Sequence, residues 1–240
     1  MIYIVGLGPG GKDEITPRAT LALERSDIII GYKRYIDLLT PAFGHKTLLP
    51  FAMKQEVDRC RQAADLARDH AVSLVSSGDA GVYGMASLML EILDAQNKDV
   101  EVEIVPGITA ACSAAAVLGA PLAHDFAVVS LSDLLTPWSA IEKRLALATE
   151  ADFILCLYNP ASRTRDDYLR RACETILRGR DGSTPSGWAR NVGRKGQNHK
   201  ILPLSELREE KLDMLCTVVV GNSETRTLNG RMVTPRGYRV

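Results

Sequence analysis

Three strand-like runs in the first half of the chain, two of them apolar and one alternating, each end in a glycine-rich turn and lead on to a helical pattern. That repetition restricts the fold more than any other feature. Residues 2–5 run into Gly6-Leu7-Gly8-Pro9-Gly10-Gly11. Residues 71–75 run into Ser76-Ser77-Gly78-Asp79-Ala80-Gly81-Val82-Tyr83-Gly84, and residues 100–105 into Pro106-Gly107-Ile108-Thr109-Ala110. Strand, crossover helix, strand is the unit of a parallel sheet, so the class is α/β. In such folds the loops at the carboxyl ends of the strands carry ligands. Asp79, set among three glycines, suits hydroxyl or cationic groups of a ligand, or simply caps the turn.

The first glycine turn formally contains Gly-x-Gly-x-x-Gly, the dinucleotide fingerprint. The fingerprint needs a helix that opens within the glycines and an acidic residue at the end of the second strand. Here the next helix starts only at Thr16-Pro17, a cap followed by proline at the first helical position, and Asp27 begins the second strand rather than ending it. After that strand, Tyr32-Lys33-Arg34-Tyr35 offers two aromatics and two cations to a flat anion, or is the start of an amphipathic helix. Residues 48–51 read as a connector and 54–68 as a helix. Val57, Cys60, Ala64 and Ala67 form its apolar face, and Asp58, Arg59, Arg61, Asp65 and Arg68 its solvated side. Thr109 caps an alanine-rich helix to residue 118, which suits close packing against a helix or a planar group. The pattern restarts after residues 119–122. Strands are expected at 126–131, 152–157, 188–192, 200–204, 217–220 and 231–234, and helices at 136–148 and 165–177. The domain expectation is two α/β units, 1–120 and 121–240, meeting at a cleft.

Balanced charge, 29 basic against 29 acidic residues, gives no field to recruit nucleic acid or an anionic membrane surface. No apolar run reaches the length of a membrane span, and residues 1–5 read as a strand rather than a signal peptide. The five cysteines are an odd number, widely spaced and without Cys-x-x-Cys. They suit reduced thiols in a cytoplasmic protein. Four scattered histidines make no metal site.

In their order and spacing, Gly6-x-Gly8-Pro9-Gly10, Ser77-Gly78-Asp79-Ala80-x-Val82-Tyr83-Gly84, Pro106-Gly107-Ile108-Thr109-Ala110 and Tyr158-Asn159-Pro160 resemble the tetrapyrrole (class III) methyltransferases over essentially the full chain. Within that family four stretches are similar to the enzymes that methylate C17 of precorrin-3B or its cobalt counterpart. They are Met53-Lys54-Gln55-Glu56-Val57, residues 76–85, residues 124–138 from His124 to Trp138, and residues 157–162. The resemblance implies two unlike α/β domains, S-adenosylmethionine in the cleft between them, S-adenosylhomocysteine as product, and a homodimer. It implies methylation coupled to ring contraction of an anionic corrin precursor, with or without cobalt, in cobalamin biosynthesis. By position, Pro9 lines the floor of the cofactor site, with Gly8 on the substrate side. Ser77, Gly78 and Asp79 meet the methionine or ribose, with Val82 and Tyr83 close by. Thr109 and Ala110 lie near the methionine end or the adenine. Tyr158 and Asn159 close over the cofactor, and Val192 or Gly193 contacts adenine, although this chain reads Asn191-Val192-Gly193 where the family often has Asn-Gly.

Transfer of an activated sulfonium methyl needs in-line positioning and dehydration more than acid–base power. The absence of a paired-carboxylate or Ser-His-Asp constellation is consistent with that. Ring contraction does move protons, and Asp133, Tyr35 and His45 are candidates by type. Lys33, Arg34, Arg163 and Arg165 follow strand ends and suit substrate carboxylates. The alternatives are a sister enzyme acting at another corrin carbon (C11 of precorrin-4, for example) or on an RNA or protein, a NAD-dependent oxidoreductase, and a nucleotide-sensing module without turnover.

Overall fold

Five short strands of the first half lie side by side, all parallel, in a computed structural model that describes residues 1–162 and 166–239. In chain order the elements are β1 (Ile2–Gly6), α1 (Pro17–Arg25), β2 (Ile28–Tyr32), α2 (Lys33–Phe43), β3 (Thr47–Phe51), α3 (Glu56–Leu66), β4 (Val72–Ser76), α4 (Ala86–Ala95) and β5 (Val102–Val105). The strand order is β3-β2-β4-β1-β5. Alternate residues of each central strand face opposite layers. Ile2, Ile4, Ile28, Ile30, Val72 and Leu74 pack with Cys60, Ala63 and Ala64 of α3 and Met89 and Leu93 of α4. Tyr3, Val5, Ile29 and Val75 pack with Ala19 and Leu23 of α1 and Ile36 and Leu39 of α2. Both faces are buried, which is why the strands read as continuous apolar runs.

The chain divides into two compact units, Met1–Thr109 and Ala110–Val240. The second holds α5 (Ala110–Leu118), β6 (Gly119–Ala120), β7 (Phe126–Ser130), α6 (Trp138–Glu150), β8 (Ile154–Tyr158), α7 (Tyr168–Leu177), β9 (Pro185–Arg190), β10 (Asn198–Pro203), α8 (Leu204–Leu207), β11 (Cys216–Val220), β12 (Arg226–Leu228) and β13 (Arg231–Val233). Its main sheet runs β10-β9-β11-β8-β7 and is mixed: β7 and β8 are parallel, and the other pairs are antiparallel. Helices α6, α7 and α8 cover one face. Ala111, Ala114 and Leu118 of α5 cover the other, against Ile154, Cys156, Ala189, Val219 and Met232. A small sheet, β12-β13-β6, completes the unit. The two units are thus unlike α/β folds.

Several expectations shift. Residues 48–51 are not a connector but most of the edge strand β3, which pairs with β2; its half-exposed residues broke the apolar signal. The packing places the junction between units eleven residues before the expected division at 120, because the alanine face of α5 belongs to the second core. Those alanines pack on a sheet rather than on a helix. On α3, Val57 is exposed and Ala63 replaces it on the apolar face. Arg59, expected on the solvated side, is only 3% exposed, because it lies one turn before Ala63 on that same face. No helix opens within Gly6–Gly11: a 3-10 turn occupies Lys12–Glu14, and Thr16 caps α1 by accepting a bond from the Ala19 amide at 3.1 Å.

Three loops meet through backbone alone at the carboxyl end of the first sheet. A Cβ on Gly107 would lie 2.2 Å from the Gly78 carbonyl oxygen and 2.6 Å from that of Gly6. A Cβ on Gly6 would lie 2.7 Å from both the Gly78 oxygen and the Gly107 nitrogen. No side chain larger than hydrogen fits without moving a backbone. Gly107→Ala is therefore expected to lose about 2 kcal/mol or more of stability, read from the urea midpoint at unchanged m-value; an unshifted midpoint counts against the junction.

Candidate functional site

The glycine junction fixes the geometry of the candidate site in the first unit. Gly8 and Gly78 exchange two backbone hydrogen bonds, Gly8 N–H to Gly78 at 2.9 Å and Gly78 N–H to Gly8 at 2.8 Å. The loop after β1 and the loop after β4 are thereby joined beyond the ends of their strands. Asp79 ties in both its own loop and the one after β5. Its Oδ1 accepts from the amides of Gly81 (2.8 Å) and Val82 (3.1 Å), and its Oδ2 from the amide of Gly107 (3.0 Å). A carboxylate has about four acceptor positions, so three amides leave it one for a ligand hydroxyl or amine. The partly exposed Asp79 is first a clamp for the loops and second a candidate contact.

The other candidates of this unit fall around the same end of the sheet. Pro9 is buried beside the bridge, Ser77 is half-buried, and Val82 and Tyr83 are exposed. Tyr83 holds a left-handed backbone with φ of 53°, unusual for a bulky residue. Thr109, half-buried, follows Gly107. At the carboxyl end of β2, Tyr32 and Tyr35 meet edge to face at 5.3 Å. Lys33 pairs with Asp37 on the exposed face of α2 at 2.9 Å, and Arg34 is exposed. His45 is placed differently. It precedes β3, at the amino end of a parallel sheet, so it lies at the opposite end from the glycine loops. The sheet direction removes it from that group.

In the second unit the ends of the parallel pair β7 and β8 are joined by side chains. Asn159, left-handed at φ 54°, donates to Ser130 Oγ at 3.0 Å, and the Ser132 amide donates to the same oxygen at 3.2 Å. The Tyr158 hydroxyl accepts the Ala111 amide at 2.6 Å and so satisfies one of the free N–H groups at the start of α5, next to Ala110. Asp133, three residues past β7, accepts from the Tyr168 hydroxyl at 2.5 Å. Tyr168 stacks at a tilt on Trp138 (4.7 Å), and Arg171 lies over both rings at 4.1 and 5.1 Å. The bond to Asp133 is the main cause that raises the Tyr168 phenol above its ordinary value. Val192 and Gly193 sit in a tight turn, with the Gly193 amide donating to Gln197 at 2.8 Å and Val192 half-buried against the α5 core. Arg163 and Arg165 lie outside the described residues. Reading the sequence missed Ser130 and Tyr168. The first lay inside a quoted stretch without a role of its own. The second lay within the expected helix 165–177, again without a role of its own.

The four buried cysteines are inert. Burial pushes the thiols of Cys60, Cys156 and Cys173 up to about 12 and that of Cys216 to about 11, so none of these is a thiolate nucleophile near neutral pH. Among the described residues, no group of three or more His, Cys, Asp or Glu is arranged to hold a metal ion.

Against known proteins, residues 1–208 match the family model of the tetrapyrrole (corrin/porphyrin) methylases. A probable cobalt-factor III C(17)-methyltransferase of Salmonella typhimurium strain LT2 is 46% identical over 239 residues, 99% of each chain. One of the same name from Methanocaldococcus jannaschii is 40% identical, over 99% of this chain and 98% of that one. Among solved structures, that of the methyltransferase CobJ superposes with a TM-score of 0.92 at 38% identity, covering 98% of this chain and 99% of the other. A uroporphyrin-III C-methyltransferase from Thermus thermophilus, complexed with S-adenosyl homocysteine, gives 0.71 at 22% identity, over 92% and 96%; at that identity it speaks to the fold.

Two outcomes test this geometry. Asp79→Asn turns an acceptor toward or away from the Gly107 amide and cannot serve all three amides, while Asp79→Ala serves none. Melting temperature is expected to fall in the order wild type, Asn, Ala, and equal melting of all three removes the clamp. The folded-state value of Tyr168 lies above its unfolded value near 10. Its contribution to stability is therefore fully present below about pH 10 and is lost as the pH rises through the folded value. Asp133→Asn should bring the late-titrating tyrosine down in an ultraviolet absorbance titration. An unchanged curve separates the pair.

Proposed function

The chain belongs to the tetrapyrrole (corrin/porphyrin) methylase family, and from that premise we propose that it moves a methyl group from S-adenosylmethionine to C17 of a cobalt-containing corrin precursor of the cobalt-factor III class. Ring contraction accompanies the transfer, as a step of cobalamin biosynthesis. The end-to-end likeness to chains that bear this name carries the reading.

The residues present suit the cofactor. The loops after β1, β4 and β5 come together without side chains at Gly6, Gly78 and Gly107, and Gly81 beside them is exposed with little near a Cβ there, so its backbone is open to an adenosyl or methionine group. Asp79 keeps one acceptor position for a ribose hydroxyl or the amino group. We assign cofactor contacts to Pro9, Ser77, Gly78, Asp79, Val82, Tyr83 and Thr109 in the first unit. In the second we assign them to Ala110, Tyr158, Asn159 and either Val192 or Gly193. When bound, the cofactor supplies an electrophilic methyl on a sulfonium.

What the protein adds is position and dryness. The glycine junction holds the loops rigid, and the exposed apolar Val82 and Ile108 provide surface that a bound group would cover. Asp133, holding Tyr168, is the pair we assign to proton movement in the ring contraction, with Tyr35 as the alternative at the other strand ends. Gly8, Lys33 and Arg34 remain candidates for the substrate side. Lys33 would have to exchange Asp37 for a substrate carboxylate, an inexpensive trade on an exposed helix.

The reading extends to a homodimer in the cytoplasm that acts on an anionic tetrapyrrole and on neither nucleic acid nor membrane. Balanced charge supports the last part. Five free cysteines suit a reducing compartment. No helix among the described residues is long and apolar enough to cross a membrane. The family resemblance supports the dimer. A NAD-dependent oxidoreductase is disfavoured because no helix N-terminus opens within the glycine turn.

Isothermal titration with S-adenosylhomocysteine tests the reading. Micromolar binding is expected, about one site per chain, and with cobalt-factor III and cofactor supplied the product should gain one methyl at C17 by NMR. No heat from folded protein, or a methyl on another carbon, overturns the corresponding half of the proposal.

A further inference from the structure

Among the described residues two arginines are almost wholly buried, and they are treated in opposite ways. Arg180, 8% exposed, is saturated: its guanidinium donates to the carbonyls of Phe153 (3.0 Å), Gly221 and Thr149 (3.2 Å), and to Asp152 Oδ1 at 3.3 Å. It ties the last turn of α6, the approach to β8 and the loop after β11 together and is a structural residue. Arg59, 3% exposed, is not saturated. One terminal nitrogen reaches the Ala52 carbonyl at 3.3 Å, and the other has only the Met85 sulfur at 3.9 Å. Its Nε is buried and has no partner, and the nearest carboxylate, Glu56, is 3.9 Å away and half in solvent. A buried guanidinium is costly unless its donors are satisfied and its charge is paired. Arg59 meets neither condition.

Its surroundings say where the missing partner would come from. Arg59 lies on the first turns of α3, beneath residues 52–55, which follow the carboxyl end of β3, and beside Met85, which ends the glycine loop after β4. This is the end of the sheet at which the candidate cofactor loops meet. The turn above it is exposed throughout and carries Met53, 47% exposed, and Lys54 with φ of 69°. Two short-range bonds hold that turn: the Ala52 amide to Gln55 Oε1 at 2.8 Å, and the Lys54 amide to Glu56 Oε1 at 3.2 Å. It is a light cover, held locally, over a cation with unused donors. A planar guanidinium with free donors matches a carboxylate, which it can take through two parallel bonds. An inorganic anion would need no such placement beside the cofactor loops.

We propose that Arg59 is the substrate-carboxylate anchor of this enzyme: on binding, the turn 52–55 opens and one acidic side chain of the macrocycle takes the fork of Arg59. The inference rests on the proposed tetrapyrrole reading and deepens it. It explains the charged residue of α3 that the helical pattern had assigned to solvent, and it gives a use to the Met53-Lys54-Gln55-Glu56 stretch.

The test uses the full chain and three readouts: cobalt-factor III affinity by absorbance titration, S-adenosylhomocysteine affinity by calorimetry, and melting temperature. Arg59→Met fills the same space without charge. It is expected to raise the macrocycle Kd at least tenfold, to leave the S-adenosylhomocysteine Kd within about twofold, and to melt at or above the wild-type temperature, since an uncompensated buried charge has gone. Macrocycle affinity equal to wild type overturns the proposal. So does a drop of several degrees with both affinities falling together, the signature of a structural arginine. If Arg59→Met does not fold, Arg59→Lys decides: it keeps the charge and loses the fork, and an unchanged macrocycle Kd overturns the proposal. Wild-type protein that binds S-adenosylhomocysteine but not cobalt-factor III sinks the substrate reading and the anchor with it. Wild-type protein that binds the macrocycle, with a variant that binds it equally well, sinks the anchor alone.

Discussion

The close approach of three backbone segments at Gly6, Gly78 and Gly107 is the constraint on which the rest of the first unit depends. Peptide groups can come this near only where no Cβ intervenes. Once they do, β1, β4 and β5 must end at one level, and the loops that follow them must share one surface. Asp79 then has three amides within reach and holds them with a single carboxylate. The parallel register follows the same logic, since β1 lies between β4 and β5 and carries the first glycine of the junction. A site built this way consists of main chain more than side chain. It suits a ligand that is recognised by close backbone contact, and a reaction whose chemistry resides in the cofactor.

The second unit solves the equivalent problem with side chains. Ser130 joins the ends of β7 and β8 through Asn159 and its own loop, and Tyr158 reaches the first turn of α5. Asp133 and Tyr168 form a pair under an arginine stacked on two aromatic rings. Arg180 in this unit is satisfied with the same economy, serving three carbonyls and an aspartate, while the buried Thr149 hydroxyl near it makes no hydrogen bond. Among the described residues the buried side-chain atoms without a partner are the Ser76 and Thr149 hydroxyls and Arg59 Nε; only the last belongs to a charged group, for which the cost is greatest, and that departure calls for a functional reading.

Much of the fold was legible in the sequence. Strands β1, β2 and β4 are buried on both faces, because helices cover both sides of a parallel sheet, and that pattern survives in one dimension, while the edge strand β5 shows as an alternation. Thr16-Pro17 announces α1 because capping is local chemistry. The motifs around Asp79, Pro106-Gly107 and Tyr158-Asn159 were visible as glycine, proline and aspartate punctuation. What failed to show was edge and context. β3 is half-exposed and reads as a connector. Tyr168 lay in an expected helix, but its partner Asp133 is 35 residues away in sequence, and His45 has the right type at the wrong end of the sheet.

Residue order alone determined the α/β class, the placement of glycine at strand ends and the family resemblance, because each rests on local periodicity or on short motifs whose geometry neighbours in sequence dictate. Only the tertiary structure decided which donors would be satisfied. Asp79 became a clamp because the loop after β5 comes within reach of it, α5 joined the second unit because its alanines found a sheet, and Arg59 went under the turn 52–55 because α3 turned that side toward the core. Those outcomes depend on contacts between residues far apart in the chain, and no local rule encodes which partner a buried group will meet.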